Sequence, residues 1–522
     1  MNPLETELKL QVPAARRAAL LKAVATPAAV STRLQAVYVD TAGRHLAAAG
    51  LALRLRKEGR VWVQTLKGRG DGIASRLEHE VRLPSQPGMP DIVVQRHAGT
   101  AAGAALEVAI KSAITTRTAG PHPTAGEADA ARATPHDAAL LPVYRTDIRR
   151  LHRRVRHAGA LIEIAYDRGF IIAGDRRLAV DEIEFELISG PAAALPALAQ
   201  RWSARFELWW DVRSKSERGQ RLADGKTQVP AVKASAIAWS AAKGDDAAAG
   251  AASLWLAALR SSLLQALPNA AEIAEGSGTP EHLHQLRVAL RRLRSVLRVL
   301  APWSGEPDVV LALEADWRGP FGVLGAARDA DVRAEALQPQ LAAAGAPTFE
   351  WPDAADAIDP GECVRSGPFN ALLLRTLGLM LTPPTIEAVS LPDAAHAAAT
   401  VLQPMWRQLL RDAAGFAAAE PELQHRTRRR LKRLRYVLEF LAPLFKRKAM
   451  GRLRRALKTA AERLGELNDL QAAEVELRQQ AALDPRAWFA VGWLAARGDA
   501  AVASADATLS QLKRAPKVWR LG

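Results

Sequence analysis

Five short stretches put charged residues of both signs on every second position, with apolar residues between them. The first is Glu5-Thr6-Glu7-Leu8-Lys9-Leu10. Side chains of a strand alternate between its faces, so Glu5, Glu7 and Lys9 share one face and Leu8 and Leu10 the other. The pattern returns at Arg54 and Arg56 beside Leu53 and Leu55, and at Arg76, Glu78, Glu80 and Arg82 around Leu77, His79 and Val81. It returns again at Glu163 and Asp167 in Ile-Glu-Ile-Ala-Tyr-Asp, and at Glu182, Glu184 and Glu186 around Ile183, Phe185 and Leu187. One such strand is ordinarily the wet face of an antiparallel sheet. Five of them, with charges of both signs, match what a sheet closed on itself would carry. Closure removes the edges, lets inward positions stay charged around a ligand, and leaves outward apolar positions to pack on helices. Two carboxylates beside an ammonium suit a metal-bound phosphate.

Together with Thr65-Leu66-Lys67 and Ser214-Lys215-Ser216-Glu217-Arg218-Gly219, these motifs stand in the order found in CYTH domains, the triphosphate tunnel metalloenzymes. Residues 1–224 resemble that family. The resemblance implies an antiparallel β-barrel or tunnel with flanking helices, in which activated water attacks a terminal phosphoryl group. Lys9, Arg54, Arg56, Lys67, Arg76, Arg150 and Lys215 are then candidates for gripping a phosphate chain, with Arg145 and Arg149 as alternatives to Arg150. Planar guanidinium and compact ammonium groups can hold such a chain from several sides. Glu5, Glu7, Glu182, Glu184 and Glu186 are candidates for Mg2+ or Mn2+, which favour oxygen ligands. Glu78, Glu80, Glu163 and Asp167 complete the acidic side, as further ligands or by orienting the bases. Lys9, Glu5 and Glu7 form the candidate catalytic group, the general base being Lys9 or a carboxylate.

The 522 residues suffice for two or more domains. Lys and Arg number 71 against 55 Asp and Glu, a formal charge of +16, so a polyanionic partner is expected. Charge alone does not choose among nucleic acid, an anionic membrane and a phosphate polymer. The single cysteine, Cys363, cannot form an internal disulfide and has no companion at zinc-site spacing. No basic-then-apolar leader opens the chain and no run of about 18 apolar residues occurs, so no membrane partner is expected. A cytoplasmic protein fits, with polyphosphate granules as an associated site.

Periodicity two prevails to about residue 222 and helical periodicity beyond about residue 250, with a linker expected over 225–250. The fold class expected is therefore α+β, a β-barrel or tunnel followed by an all-α bundle. Pro13 to Val24 reads as a helix. Gly99 to Pro142, rich in Ala, Thr, Gly and Pro, reads as a long mobile insertion with one short helix near Leu106 to Ile114, and its His122 and His136 as solvated.

From His284 the chain reads His-Gln-Leu-Arg-Val-Ala-Leu-Arg-Arg-Leu-Arg, and from His425 it reads His-Arg-Thr-Arg-Arg-Arg-Leu-Lys-Arg-Leu-Arg. At about 100° per residue, offsets 0, +3, +7 and +10 fall in one arc and +8 at its flank. His284, Arg287, Arg291 and Arg294 form one stripe with Arg292 beside it, and His425, Arg428, Lys432 and Arg435 another with Arg433 beside it. Leu286, Leu290, Leu293 and Leu297 oppose the first, and Leu431, Leu434 and Leu438 the second. Leu324-Gly325 with Arg328-Asp329 parallels Leu464-Gly465 with Asn468-Asp469, so the repeat is a whole helical unit, about 251–390 and 391–522. Like charges this dense destabilise a helix unless a polyanion neutralises them. Residues 251–522 resemble the CHAD domain, an all-helical module associated with binding inorganic polyphosphate. The resemblance makes the ten basic and histidine residues of the two stripes and their flanks candidates for that role, with His282 incidental. Lys432 stands where the first repeat has arginine, and Asn468 where it has Arg328.

The expected function is hydrolysis of inorganic triphosphate to diphosphate and phosphate, with polyphosphate held by the helical domain. An adenylate cyclase or a thiamine triphosphatase in the same tunnel is the alternative, and needs a pocket for a ring near Trp62 or Tyr166. A non-catalytic scaffold for polyphosphate or nucleic acid is another. Nucleic acid is disfavoured because the stripes carry no interleaved aromatics, Tyr436 lying just beyond the second.

Overall fold

The computed structural model describes residues 5–69, 73–86, 88–118, 139–239, 247–349, 358–382 and 394–519. It divides into two compact units, Met1–Pro230 with Val364–Thr382, and Ala231–Cys363 with Pro383–Gly522. A segment from the second half of the chain thus belongs with the first unit.

The first unit is an antiparallel sheet of β1 (Glu5–Gln11), β2 (Val30–Asp40), β3 (Ala52–Glu58), β4 (Val61–Arg69), β5 (Ser75–Leu83), β6 (Leu141–His157), β7 (Ala160–Ala173), β8 (Arg176–Ser189) and β9 (Trp209–Trp210). The spatial order is β5-β4-β3-β2-β6-β7-β8-β1-β9. β1 also meets β5, at Glu5↔Arg76 and Thr6↔Ser75, so the sheet curls until its two sides touch and becomes tunnel-like. Of the apolar alternates of the motif strands, Leu8, Leu10, Leu53, Leu55, Leu66, Ile164, Ile183 and Phe185 are buried and Leu77, Val81 and Leu187 half-buried. Covering them removes from water the surface that the two-residue period put on one side.

Among the covering helices is Ala101–Thr118. Ala102, Leu106, Ala109 and Ile110 pack on Leu53 and Leu66, so this part of the expected mobile insertion is a full helix, longer than Leu106 to Ile114 and part of the core. Four apolar residues at i, i+4, i+7 and i+8 make one stripe that the sheet buries. Residues 119–138, with His122 and His136, lie outside the described residues. Near the N-terminus a short 3-10 turn, Ala14–Arg16, leads into the helix Arg17–Val24.

One end of the curled sheet is apolar, where Tyr38, Tyr144, Ile148, Ile171, Ala173 and Val180 cluster. The helix Lys215–Asp224 lies there, with Leu222 and Ala223 against the cluster. Ser214 begins this helix with a capping box, its side chain accepting from the Glu217 amide at 3.1 Å while Glu217 accepts from the Ser214 amide at 2.7 Å. Such a cap satisfies donors that a helix start leaves open.

The regular elements of the second unit are all helices among its described residues. A long helix, Ala247–Glu275, packs on the basic helix Pro280–Val299, which packs on Arg318–Ala343. The order repeats as Ala394–Ala413, Pro421–Leu441 and Arg447–Gln480, followed by Ala487–Gln511. The two basic helices pack on each other. Their predicted apolar faces are buried, from Leu286 to Leu297 in one and at Leu431, Leu434 and Leu438 in the other.

Candidate active site

Strand register assembles the charged faces. Across β1, β8 and β7, Glu7 stands opposite Glu186 and Glu186 opposite Glu163; Lys9 stands opposite Glu184; and Gln11, Glu182 and Asp167 form the next row. β6 extends two of these rows, with Arg154 opposite Glu163 and Arg150 opposite Asp167. On the other side, Tyr38, Arg54, Thr65 and Glu80 make one row across β2, β3, β4 and β5, and Lys67 stands opposite Glu78. Alternation made these residues share a face; pairing made them neighbours.

Lys9, Arg54, Asp167 and Glu182 are buried. Arg150 donates to both carboxylate oxygens of Asp167 at 2.7 Å and also pairs with Glu184. The Lys215 ammonium sits among three carboxylates, 2.6 Å from Asp167, 2.8 Å from Glu184, and paired with Glu182. Lys67 is 2.7 Å from Glu78. Arg54 donates to the Tyr38 hydroxyl at 3.0 Å and Arg56 to Glu80 at 3.1 Å. Glu163 meets His152 at 3.3 Å and Arg154 at 3.5 Å. The side chains of Glu5 and Arg76 lie outside what is described.

Burial alone would raise the Glu182 carboxyl, but Arg218, Lys215 and Lys9 outweigh it and hold it at about 2. Glu184 is held well below the ordinary carboxylate range, where Lys215 and Arg150 again outweigh burial. Glu186 goes the other way: burial raises it, and the facing carboxylates Glu163 and Glu7 raise it further. Lys67 and Arg150, from opposite sides of the sheet, both act on Glu186, and Arg150 also acts on Arg56. The charged faces therefore look at one another across the interior.

Two observations bear on what this interior could hold. The Nε and one terminal nitrogen of Arg54, and the Nε of Arg56, are buried without a hydrogen-bond partner among the described residues. Buried donors of this kind are costly unless an acceptor arrives. Asp167, Glu182 and Glu184 bring oxygens within 4.8 Å of one another, close enough for one cation, although Lys215 already shares all three. Glu7, Glu163 and Glu186 are the acidic row with a raised member, so a divalent cation there would relieve like-charge repulsion. The Asp167, Glu182 and Glu184 set offers hard oxygen donors close enough for one ion, so those residues fit the ion class expected from the sequence.

Several residues of the site carried no assigned role in the sequence. The Lys9 ammonium donates to the backbone carbonyl of Arg213. Asp211 accepts from the Arg213 amide and side chain at 2.9 Å and from Gln11 at 3.0 Å. Arg218 pairs with Glu182. Arg218 lay within a quoted motif; Asp211 and Arg213 sit in an irregular stretch with no period to expose them. Tyr38 stacks on Tyr144 with ring centroids 4.5 Å apart, and only β2–β6 pairing brings those rings together.

In the second unit the stripes are present with one correction. Arg292 is fully buried, donating to Gln265 at 2.8 Å and Ser261 at 3.1 Å and pairing with Glu439 at 3.1 Å. It joins the packed interior and is no part of a polyanion face, because helix–helix packing covers the flank at offset +8. His282 is likewise structural, its ring accepting from the Thr279 amide at 3.0 Å at the helix start. Arg287, Arg291 and Arg294 all lie over the Phe321 ring, at 5.7, 5.4 and 4.9 Å. Arg287 also donates to the Leu324 carbonyl at 2.7 Å, and a Cβ on Gly325 would stand 2.9 Å from that guanidinium, whereas one on Gly465 of the second repeat would meet nothing within 4 Å. Arg294 pairs with Glu314 at 2.8 Å, and Arg433 lies within reach of Arg298 and Glu314. His284 is exposed.

In the second repeat His425 meets Asn468 at 2.7 Å and Arg428 lies 3.8 Å from Asp469. Lys432 is pushed down to about 6, by burial first and then by Arg428, Arg291 and Arg435, with Asp469 opposing. Arg291 belongs to the first stripe, so the two stripes meet at Lys432. The side chains of Arg328 and Asp329 lie outside what is described.

Comparison with known proteins follows this division. Residues 3–219 match the CYTH domain and residues 257–478 the CHAD domain. An inorganic triphosphatase from Haemophilus influenzae is 35% identical over 83 residues, a stretch that is 16% of this chain and 24% of that relative. The CHAD domain of the plant Ricinus communis is 30% identical, covering 55% of this chain and 99% of that one at a TM-score of 0.42. A putative adenylyl cyclase from Hippeastrum, described as having a dominant triphosphatase activity, is 18% identical, covering 42% of this chain and 96% of that one at a TM-score of 0.25. This chain belongs to the proteins that join a CYTH domain to a CHAD domain.

Proposed function

We propose that the first unit hydrolyses inorganic triphosphate to diphosphate and phosphate with the help of a divalent cation, and that the second unit holds inorganic polyphosphate. The observation that carries the first half is the enclosed interior where arginine and lysine face carboxylates, with buried N–H groups of Arg54 and Arg56 lacking acceptors. A phosphate chain supplies those acceptors. Arg54, Arg56 and Lys67 grip it from one side; Lys9 and Arg150 meet it from the other. Asp167 and Glu184 hold Arg150 and Lys215 in fixed positions, so little reorganisation is needed as charge shifts toward the leaving diphosphate. In the reaction, water forms a bond to the terminal phosphorus as the bridging P–O bond breaks. Mg2+ or Mn2+, held by Glu7, Glu163 and Glu186 or by Asp167, Glu182 and Glu184, would neutralise phosphate charge.

The cyclase and thiamine triphosphatase readings need a surface for a ring. Trp62 and Tyr166 instead share the outward face of their strands, Tyr166 donating to Asp181 at 2.6 Å. Tyr38 faces inward, but its ring is taken by Tyr144 and its hydroxyl by Arg54. For the second unit, the convergence of both stripes on Lys432 supports a polyanion, and the Phe321 ring, overlaid by three arginines, is not free to stack on bases. Among the described residues no helix is long and apolar enough to cross a membrane.

Phosphate release from triphosphate, ATP and thiamine triphosphate, each with and without Mg2+ or Mn2+, tests the reading. Metal-dependent release preferring triphosphate is expected. Cyclic AMP formed from ATP, or release indifferent to metal, would overturn it.

A further inference from the structure

The helix Gly367–Leu381 comes from the second half of the chain yet belongs to the first unit. It packs on the helix Ala194–Phe206, burying Phe369, Leu373, Leu374 and Leu377. Two of its polar residues are also buried, Thr376 and Asn370, the latter at 1% exposure. The Asn370 side-chain carbonyl accepts from the Trp210 amide at 2.8 Å, while its NH2 donates to the carbonyls of Val364 at 3.0 Å and Ser366 at 2.9 Å. These three bonds admit one orientation of the amide group.

Trp210 matters because of where its strand lies. β9 is the edge of the sheet beyond β1, with Trp210 opposite Leu10 and Trp209 opposite Gln11. Alternate amides of an edge strand face away from the sheet and need a partner when buried. Asn370 is that partner for Trp210. The next amide, Asp211, turns back to the Lys9 carbonyl at 3.1 Å. Asp211 then anchors Arg213, whose carbonyl receives the Lys9 ammonium, and the helix bearing Lys215 and Arg218 starts two residues later.

We propose that Asn370 is a positioning residue for the triphosphate site. It fixes the strand that leads to the Arg213 carbonyl receiving Lys9 and to the helix bearing Lys215, and so makes the site depend on a segment contributed by the second half of the chain. The catalytic part rests on the function proposed above; the structural part does not. Misplacing charged groups by about an ångström costs on the order of a hundredfold in rate where positioning dominates.

Two full-chain variants test this. Asn370→Leu removes acceptor and donors at similar volume; Asn370→Asp keeps the acceptor for Trp210. Amide hydrogen exchange is followed in residues 5–11 and 209–215, with Pro280–Val299 as reference, and kcat and KM for metal-dependent phosphate release are measured on the same samples. The expected result is faster exchange in both segments for Asn370→Leu, the reference helix unchanged, kcat reduced by about tenfold or more, and only partial recovery in Asn370→Asp, whose carboxyl restores the acceptor for Trp210 but faces the Val364 and Ser366 carbonyls. Unchanged exchange in Asn370→Leu would overturn the proposal, as would faster exchange with wild-type kcat. If the wild type released no phosphate at all, the functional reading would fall, and exchange alone would still decide whether Asn370 holds the strand.

Discussion

At the scale of single residues, the acids of the first unit's site and Lys432 of the second unit stand in opposite surroundings. In the first, each buried acid of the Asp167, Glu182 and Glu184 group meets Lys215, and Arg150 or Arg218 adds to it. In the second, Lys432 is half-buried among arginines and its amine falls to about 6 from an ordinary 10.5. Between those values the unfolded chain binds a proton at this position that the folded protein does not, so this residue makes stability rise with pH through the window, and its cost is fully present below about 6. Lys432→Met is therefore expected to raise the melting temperature at pH 7, to flatten the dependence of melting temperature on pH above 6, and to weaken polyphosphate retention. Calorimetry and a polyphosphate-binding assay on one sample check the trade. A variant that lost stability at pH 7 would show that the fold stabilises this lysine rather than paying to hold it, and would overturn the prediction. Residue type and spacing put Lys432 on a basic stripe; that it would face Arg291 of the other stripe depended on two helices meeting.

At the scale of elements, the strands were legible because their signal is local. A two-residue period is a property of the extended backbone, so Glu182, Glu184 and Glu186 announce a shared face without knowledge of any partner. The order of strands carries no such signal, and neither does the row Glu7, Glu186 and Glu163, which exists only through pairing. The helix Lys215–Asp224 shows the same division. Its capping serine and glutamate are readable in the sequence, whereas its glycine is explained by a neighbour: a Cβ on Gly219 would lie 2.3 Å from the Tyr144 ring. Tyr144 also donates to the Ser216 carbonyl at 3.1 Å. Gly219→Ala must push the helix off β6, moving Lys215 and Arg218 away from their carboxylates. A loss of about 1–3 kcal/mol in stability is expected from the overpacking, with a larger proportional loss of phosphate release than of folded protein, read by chemical denaturation and kinetics together. Turnover equal to wild type would mean that this helix does not set the site. The basic helices were legible for the same local reason, and Arg292 was misassigned because the angular flank of a stripe is buried or open according to what packs there.

At the scale of the whole molecule, a charge of +16 is spread over two units that hold their cations differently. In the first, Lys9 and Arg54 are buried and Arg150 and Lys215 half-buried beside carboxylates; on the basic helices His284 is exposed and Arg287, Arg291, Arg428 and Lys432 are half-buried. Salt screens open charges over about 8–10 Å at 0.1–0.15 M and enclosed ones far less. Raising potassium chloride from 0.05 to 0.5 M (roughly a threefold shorter screening length) is expected to weaken polyphosphate retention steeply while changing the KM for triphosphate much less. A chelator should reverse the selectivity, stopping phosphate release and leaving retention intact. Equal sensitivity of both activities to salt would argue that one surface serves both.

Local periodicity was enough to mark the strands, the basic helices and their apolar faces, since each is written in residues a few positions apart. Partnership was beyond its reach: which acid meets which base, which arginine is sealed in, how Asp211 and Arg213 anchor Lys9, and that Val364–Thr382 completes a unit that begins at the other end of the chain. Those outcomes depend on contacts between residues far apart in sequence, whose closeness is decided when the sheet curls and the helices pack.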